Sequence, residues 1–412
     1  MKILWLSNKA FSGDDTIGTG TWLTSLSNSL AQSGELKLGN ISIGKRQGLI
    51  KTDYNNISQY LISPKARNLN KNGLPSKSVI NEIKFAIEDF LPDIIHIWGT
   101  ELFWSLLTAR KIITLPTLLE IQGLKSAIVK VYDGGLTFKE KIACIGIKEI
   151  IRRSTLFHIK SEYLWWSLYE KEIIAGHSFI TTQSPWLESQ IKSINHSCEI
   201  FHNEFTLQKP FYSAASWRFS NNFKVFCSTS YPSPFKGLHV ALRATAILKK
   251  RFPNIQLRIA GAHQKKGIRQ DGFVNWLNNE AKKMDIQNNL IWLGPLPVED
   301  IIKELQNCAV TLLPTFIEGY CLALAEAMAI GSPTVVSFTG GTSYLAKDND
   351  TALFFPPGDE AMCAYQIERL LLDRSLSENL SFKSRKIALE RNNPNLVINN
   401  QINIYRRIIN SV

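Results

Sequence analysis

Two glutamates separated by seven residues, Glu318 and Glu326, stand where a loop runs into a helix. The run 314–342 reads Pro-Thr-Phe-Ile-Glu-Gly-Tyr-Cys-Leu-Ala-Leu-Ala-Glu-Ala-Met-Ala-Ile-Gly-Ser-Pro-Thr-Val-Val-Ser-Phe-Thr-Gly-Gly-Thr. An apolar strand over 309–313 feeds a loop that holds Glu318 and Gly319. A helix is expected over 322–330, stopped by Gly331 and Pro333, and a second apolar strand over 334–338 leads to Gly340-Gly341. A helix start presents free N–H groups and the positive end of a dipole, which suits an anion. Carboxylates beside it would repel a bare phosphate, but they accept hydrogen bonds from sugar hydroxyls. An anion seat flanked by hydroxyl acceptors describes a pocket for a nucleotide-sugar. The competing reading makes Glu326 a solvated helix residue and the glycines plain turns. It must explain a charge among small apolar residues, where an idle one is costly.

The two glutamates, the Glu-Ala-Met-Ala-x-Gly-x-Pro tail and the later Gly-Gly together resemble the donor site of retaining nucleotide-sugar glycosyltransferases of family 4. The resemblance implies the GT-B fold: α/β, with two Rossmann-like domains facing a cleft and a C-terminal helix crossing back to the first domain. It spans nearly the whole chain but is specific only in the second half. It implies that Glu318 faces the donor sugar and that Glu326 accepts from ribose hydroxyls. The backbone N–H groups of Tyr320, Cys321 and Leu322 would cradle phosphate and sugar oxygens.

Lys236, in Pro-Phe-Lys-Gly-Leu-His, lies between a strand and a helix, where an ammonium can meet a pyrophosphate. It matches the Lys-Gly of the family. The family's usual arginine six residues earlier is replaced by Ser230, which removes one pyrophosphate contact. Gly18-Thr19-Gly20-Thr21 is a glycine-rich turn before a helix but lacks Gly-x-Gly-x-x-Gly spacing. By resemblance, Gly18 and Gly20 approach the donor from the first domain. Two further loops after first-domain strands would face the cleft. Glu101 is a candidate partner of an acceptor hydroxyl, or simply a charge at a helix N-terminus. Gln122 stands where the family often has a histidine; it can bond a hydroxyl but cannot carry a proton. His96 is expected to pack in a strand, and His202 and Asn203 to serve a hinge. With Lys236 and amides available to neutralise a leaving diphosphate, no metal and no cofactor are expected.

The composition, 44% hydrophobic and 20% charged over 412 residues, is that of an ordinary globular chain with two or more domains. No run approaches the roughly 20 apolar residues of a membrane span. The N-terminus starts a strand at once, too early for a signal-peptide core. Six scattered cysteines fit reduced thiols in a cytoplasm better than a disulfide framework or a zinc site. The net charge of +12 suits phosphorylated substrates or anionic lipid. No nucleic-acid motif accompanies it. Lys139 to Ile159 reads as one basic, isoleucine-rich helix followed by Trp165 and Trp166. Such a helix either packs on the first domain or touches an anionic membrane from the cytoplasmic side.

Short apolar strands alternate with amphipathic helices twice over, implying parallel sheets covered on both faces. The expected domains are 1–205, the acceptor domain, and 206–394, the donor domain, with 395–412 as the crossover helix. Ligands of such sheets sit beyond the carboxyl ends of the strands. The expected function is retaining transfer of a sugar from a nucleotide-diphosphate-sugar to a hydroxyl of a glycan or a lipid-linked acceptor. The alternative is a non-catalytic nucleotide-sugar-binding or scaffold protein on the same fold, which Ser230 and Gln122 favour and the two glutamates with Lys236 oppose.

Overall fold

The computed structural model describes residues 1–12, 21–229, 231–261 and 270–411. Their strands are β1 (Lys2–Leu6), β2 (Lys37–Ile43), β3 (Ile50–Tyr54), β4 (Ile57–Ile62), β5 (Ile94–Trp98), β6 (Thr117–Glu120), β7 (Phe179–Thr182) and β8 (Glu199–His202) in the first half. The second half has β9 (Lys224–Ser228), β10 (Gln256–Ala260), β11 (Leu290–Gly294), β12 (Val310–Leu313), β13 (Thr334–Ser337) and β14 (Leu353–Phe355). They form two sheets, ordered β3-β4-β2-β1-β5-β6-β7-β8 and β11-β10-β9-β12-β13-β14. Every pairing is parallel except β3 with β4. That hairpin turns on Asn55 and Asn56, both at positive φ, as a tight two-residue turn requires.

The central strands are near-continuous Ile, Val and Leu because helices cover both faces. All five residues of β5 are buried. The helix Lys77–Phe90 buries Val79, Ile83, Ala86 and Phe90, one stripe of a 3.6-residue period, and ends at Leu91 in the left-handed region. Phe85, which the periodicity alone would also place inside, is turned to solvent.

The last helix, Pro394–Ser411, leaves the second half and packs on the first. Tyr405 is fully buried; its hydroxyl accepts from Trp5 Nε1 at 3.2 Å and lies 2.7 Å from His96 Nδ1. Burial drives His96 down to about 3, so the imidazole is neutral and Nδ1 is placed to accept a hydrogen bond from the phenol hydroxyl. Arg407 reaches Glu199, and Asn400 reaches the carbonyl of His202. Tyr405→Ala is expected to cost about 3–5 kcal/mol, a cavity plus two stranded polar partners, and Tyr405→Phe about 1–2. Urea melts with an unshifted midpoint for both would mean that the crossover helix adds nothing to the first half.

The expected single helix over 139–159 is instead three: Phe138–Ala143, Ile147–Ile151 and the start of Leu156–Ala175. Local chemistry breaks it. Thr137 and Glu140 form a capping box, Gly146 begins the second helix, and the Thr155 side chain caps the third. The first two helices dock on the second half, not the first. Leu136 and Cys144 join the core of the second sheet, and Gly272 packs so closely on the Cys144 carbonyl and Gly146 N that no side chain fits there.

Candidate functional site

The loop after β12 and the loop after β13 lie on each other. Gly341 N donates to Glu318 O at 2.9 Å, and Thr339 Oγ1 donates to Phe316 O at 2.7 Å. A Cβ on Gly340 would collide with Glu318 O, and one on Gly341 with Gly319 O. The Gly-Gly pair is therefore required by close backbone approach, which also fixes the position of Glu318.

The helix Leu322–Ile330 starts from Cys321, a buried non-glycine residue at φ +82°. Such a conformation costs of order 1–3 kcal/mol and persists only where its surroundings impose it. The N–H groups of Tyr320, Cys321 and Leu322 donate to no group among the described residues, so the helix start is open. Apolar nearly all round, the helix is clamped by the helices Val298–Asn307 and Arg374–Arg391 and ends at Gly331, φ +77°.

Lys236 ends a short turn, Pro234–Lys236, and Gly237 follows at φ +73°, packed so closely on Pro314 O that no side chain fits. This seats Lys236 against the signature loop, with its Nζ 2.6 Å from Glu318 Oε1. Burial disfavours the ammonium, but the Glu318 carboxylate outweighs it and holds Lys236 above its ordinary value. Glu326 is half-buried and accepts no hydrogen bond among the described residues; burial alone pushes it up to about 8. An unpartnered carboxylate, a paired lysine and an open helix start thus converge.

The first half contributes the facing wall. Gly319 lies against the Gln122 carbonyl, and Ser184 Oγ donates to Gly319 O at 2.7 Å. Burial pushes Glu101 up to about 7, with Lys125 pulling the other way. Lys125 Nζ donates to the Glu101 carbonyl at 2.9 Å. Burial raises Tyr163, with Glu101 adding to the shift and Lys236 opposing it. Gly18 and Gly20 lie outside the described residues, as does Ser230. Arg243 does not take the place of the missing arginine; it pairs with Glu140 at 2.5 Å.

Several residues here escape sequence reasoning. The Tyr320 side chain turns away from the helix start. Its hydroxyl donates to Glu204 Oε2 and accepts from Asn392 Nδ2, both at 2.7 Å. Glu204 also meets His202 and Tyr344. Burial opposes its charge, but these bonds prevail and lower it. This network, with Asn203 bonded to Gln401, ties the connection between the halves to the signature loop. His239 Nε2, 2.8 Å from Gly134 O, joins the halves on another side. The metal-free expectation takes no account of Asp348-Asn349-Asp350, which, contrary to a reading of the chain as lacking one, has the Asp-x-Asp spacing common in metal-dependent sugar transferases. Here it builds a turn: Asp348 accepts from Phe354 N at 2.8 Å, and Asp350 pairs with Lys383 at 2.7 Å.

Residues 213–387 match the family model described as glycosyl transferases group 1. The glycosyltransferase YqgM of Bacillus subtilis is 28% identical over 180 residues, covering 43% of this chain and 47% of that protein. The D-inositol 3-phosphate glycosyltransferase of Corynebacterium aurimucosum is 29% identical over 139 residues, 34% of this chain and 32% of its own. The matched stretch thus spans less than half the length of either relative. The full chain superposes on sucrose-phosphate synthase from Thermosynechococcus elongatus with a TM-score of 0.73 at 15% identity, covering 100% of both chains. Anabaena HepE in complex with UDP-glucose gives 0.67 at 14%, covering 99% of both. The fold is GT-B, and the second half carries the group 1 sequence pattern.

Proposed function

We propose that the protein is a retaining glycosyltransferase that moves a sugar from a nucleotide-diphosphate-sugar to a hydroxyl of a glycan or lipid-linked acceptor. The observation that carries this reading is the convergence of the Lys236–Glu318 pair, 2.6 Å apart, with the open helix start and the unpartnered Glu326. The similarity of residues 213–387 to group 1 glycosyl transferases, and the likeness in fold to a protein solved with UDP-glucose, point the same way.

In this reading the diphosphate sits at the N–H groups of Tyr320, Cys321 and Leu322 and takes Lys236 as its counter-charge. Glu318, relieved of the ammonium, turns its acceptor oxygens to the hydroxyls of the donor sugar. Glu326 accepts from the ribose hydroxyls. As the bond from the anomeric carbon to the diphosphate oxygen breaks, negative charge grows on that oxygen, where the preorganised donors stabilise it. The acceptor oxygen attacks from the same face, and its proton passes to the departing phosphate oxygen, so no strong enzymic base is required. Glu101 and Gln122, on the facing wall, are assigned to acceptor or sugar hydroxyls. Lys236 and the amides supply the neutralisation that a metal would otherwise provide.

A panel of nucleotide-sugars tests the proposal by thermal shift and by release of nucleoside diphosphate, each in EDTA. One donor is expected to raise the melting temperature and to release diphosphate with the chelator present. No shift with any donor would remove the donor site. Stabilisation without release, with water or with acceptors, would favour the binding or scaffold reading. Release that stops in EDTA and returns with magnesium would overturn the metal-independent mechanism.

A further inference from the structure

We propose that the helical excursion between β6 and β7 carries a face that docks on an anionic lipid bilayer. Residues 138–168 hold a concentration of exposed large apolar side chains. Ile147 is 60%, Ile150 61% and Ile151 75% exposed. Phe138 and Ile142 are exposed on the preceding helix. On the helix Leu156–Ala175, Phe157, Leu164 and Leu168 are exposed at helical spacing, with Trp165 beside them. The same helix buries Trp166, Ile173 and Ile174, so it is anchored by one side and bare on the other. Apolar surface gathered in this way marks an interaction face, whereas scattered exposed residues do not.

The charges select the partner. Over 133–155 the acidic residues are Asp133, Glu140 and Glu149, and each is partly or fully buried. Asp133 is held by Lys141 at 3.2 Å and Lys160 at 2.7 Å, Glu140 by Arg243 at 2.5 Å, and Glu149 is buried beside Lys148. Lys139, Arg152 and Arg153 are exposed and enter no ion pair among the described residues. Bare isoleucines next to unneutralised cations, with the carboxylates of 133–155 paired or buried and Glu162 the one exposed acid of 138–168, fit the boundary between acyl chains and anionic headgroups. No helix among the described residues is long and apolar enough to cross a membrane, so the contact is peripheral.

The buried segment that leads into this face adjoins the proposed site. The Tyr132 ring lies 5.8 Å from Phe235, the neighbour of Lys236, and the Gly134 carbonyl meets His239. A docked protein would hold the cleft at the bilayer surface, which assigns the acceptor hydroxyl to a lipid-linked molecule. That assignment rests on the sugar-transfer reading; the docking does not.

The test is co-sedimentation of the full chain with vesicles of phosphatidylglycerol in phosphatidylcholine, and with phosphatidylcholine alone. Binding is expected only to the anionic vesicles and to fall with salt. It is expected to weaken at least about tenfold in Arg152→Glu/Arg153→Glu, by loss and reversal of two surface cations. Ile150→Ser/Ile151→Ser is expected to weaken it similarly through the apolar part. Both pairs are exposed, so melting temperature and the donor-induced thermal shift should stay at wild-type values. A docking failure is thereby separated from a failure of the donor site. Protein left in the supernatant at low salt, or binding indifferent to both variants, overturns the proposal. So does self-association that Ile150→Ser/Ile151→Ser abolishes without any vesicle binding, since a second copy would then be the occupant.

Discussion

Lys236→Ala is expected to slow sugar transfer by about 10²–10³-fold, the cost of removing one preorganised donor from a developing oxyanion. Nucleoside diphosphate binding should weaken by about 1.5–3 kcal/mol, as for a lost charge-assisted hydrogen bond, while nucleoside binding stays unchanged. Because Lys236 also neutralises Glu318 across 2.6 Å, the ligand-free protein should lose about 1–2 kcal/mol of stability, between the values for exposed and buried pairs. Glu318→Ala separates the two roles. It frees Lys236 from its ion pair with Glu318, so nucleoside diphosphate should bind at least as tightly as to the wild type, while transfer from the nucleotide-sugar is lost. Calorimetry with diphosphate and with nucleoside reads both variants. Equal losses for the two ligands in Lys236→Ala would mean that the substitution disturbed the fold and left the role of the ammonium unproven.

Glu326→Gln should stabilise the empty protein and weaken the donor complex. Burial raises Glu326 from 4.5 to about 8, so between these values the folded state holds a proton that the unfolded chain has released. The penalty for its charge is absent below about pH 4.5, grows as the pH rises and is complete above about 8. Glutamine carries no such penalty. The variant should therefore match the wild type near pH 4.5 and exceed it by about 1–3 kcal/mol at pH 9, allowing for partial exposure. Donor binding should fall by about 1–3 kcal/mol. Ribose hydroxyls donate to the ionised carboxylate, so wild-type affinity should rise with pH up to about 8, with proton release on binding, and the variant should lose that dependence. Matched melts at the two pH values, and calorimetry in buffers of different ionisation enthalpy, provide the readings. A variant less stable than wild type at pH 9 would mean that Glu326 has a structural partner and would end its assignment to ribose.

The parts of the molecule legible in one dimension are those whose chemistry is local. The loop, helix and glycine stop at 318–331 depend on neighbours within a few residues, and the helix Leu322–Ile330 spans the residues expected of it. The alternation of apolar strands with amphipathic helices announces two parallel sheets, because strands buried on both faces need apolar residues at every position. The antiparallel β3 was also within reach: Asn55-Asn56 between two short β-prone runs is a hairpin signal. The break of the 139–159 helix could have been read from Thr137, Gly146 and Thr155, all cap-forming or helix-ending residues.

Other features exist only in three dimensions. The contact of Lys236 with Glu318 joins residues 82 apart in sequence, and Tyr405 meets Trp5 across 400. No local propensity encodes either; both follow from how sheets and the crossover helix stack. Which isoleucines of 142–151 are bare was likewise undecidable from their periodicity. An apolar stripe is equally compatible with packing on the first half, packing on the second, or facing outward. The docking of Leu136, Cys144 and Gly146 on the second half consumed one side of the segment and left Ile147, Ile150 and Ile151 in solvent. The sequence by itself determined the fold class, the signature turn and the residue types proposed to hold a nucleotide-sugar, since these depend on short-range sterics and hydrogen bonding. The tertiary structure decided which of those residues meet, which are neutralised and which surface stays bare, since charge pairing and burial depend on distances that chain separation does not set.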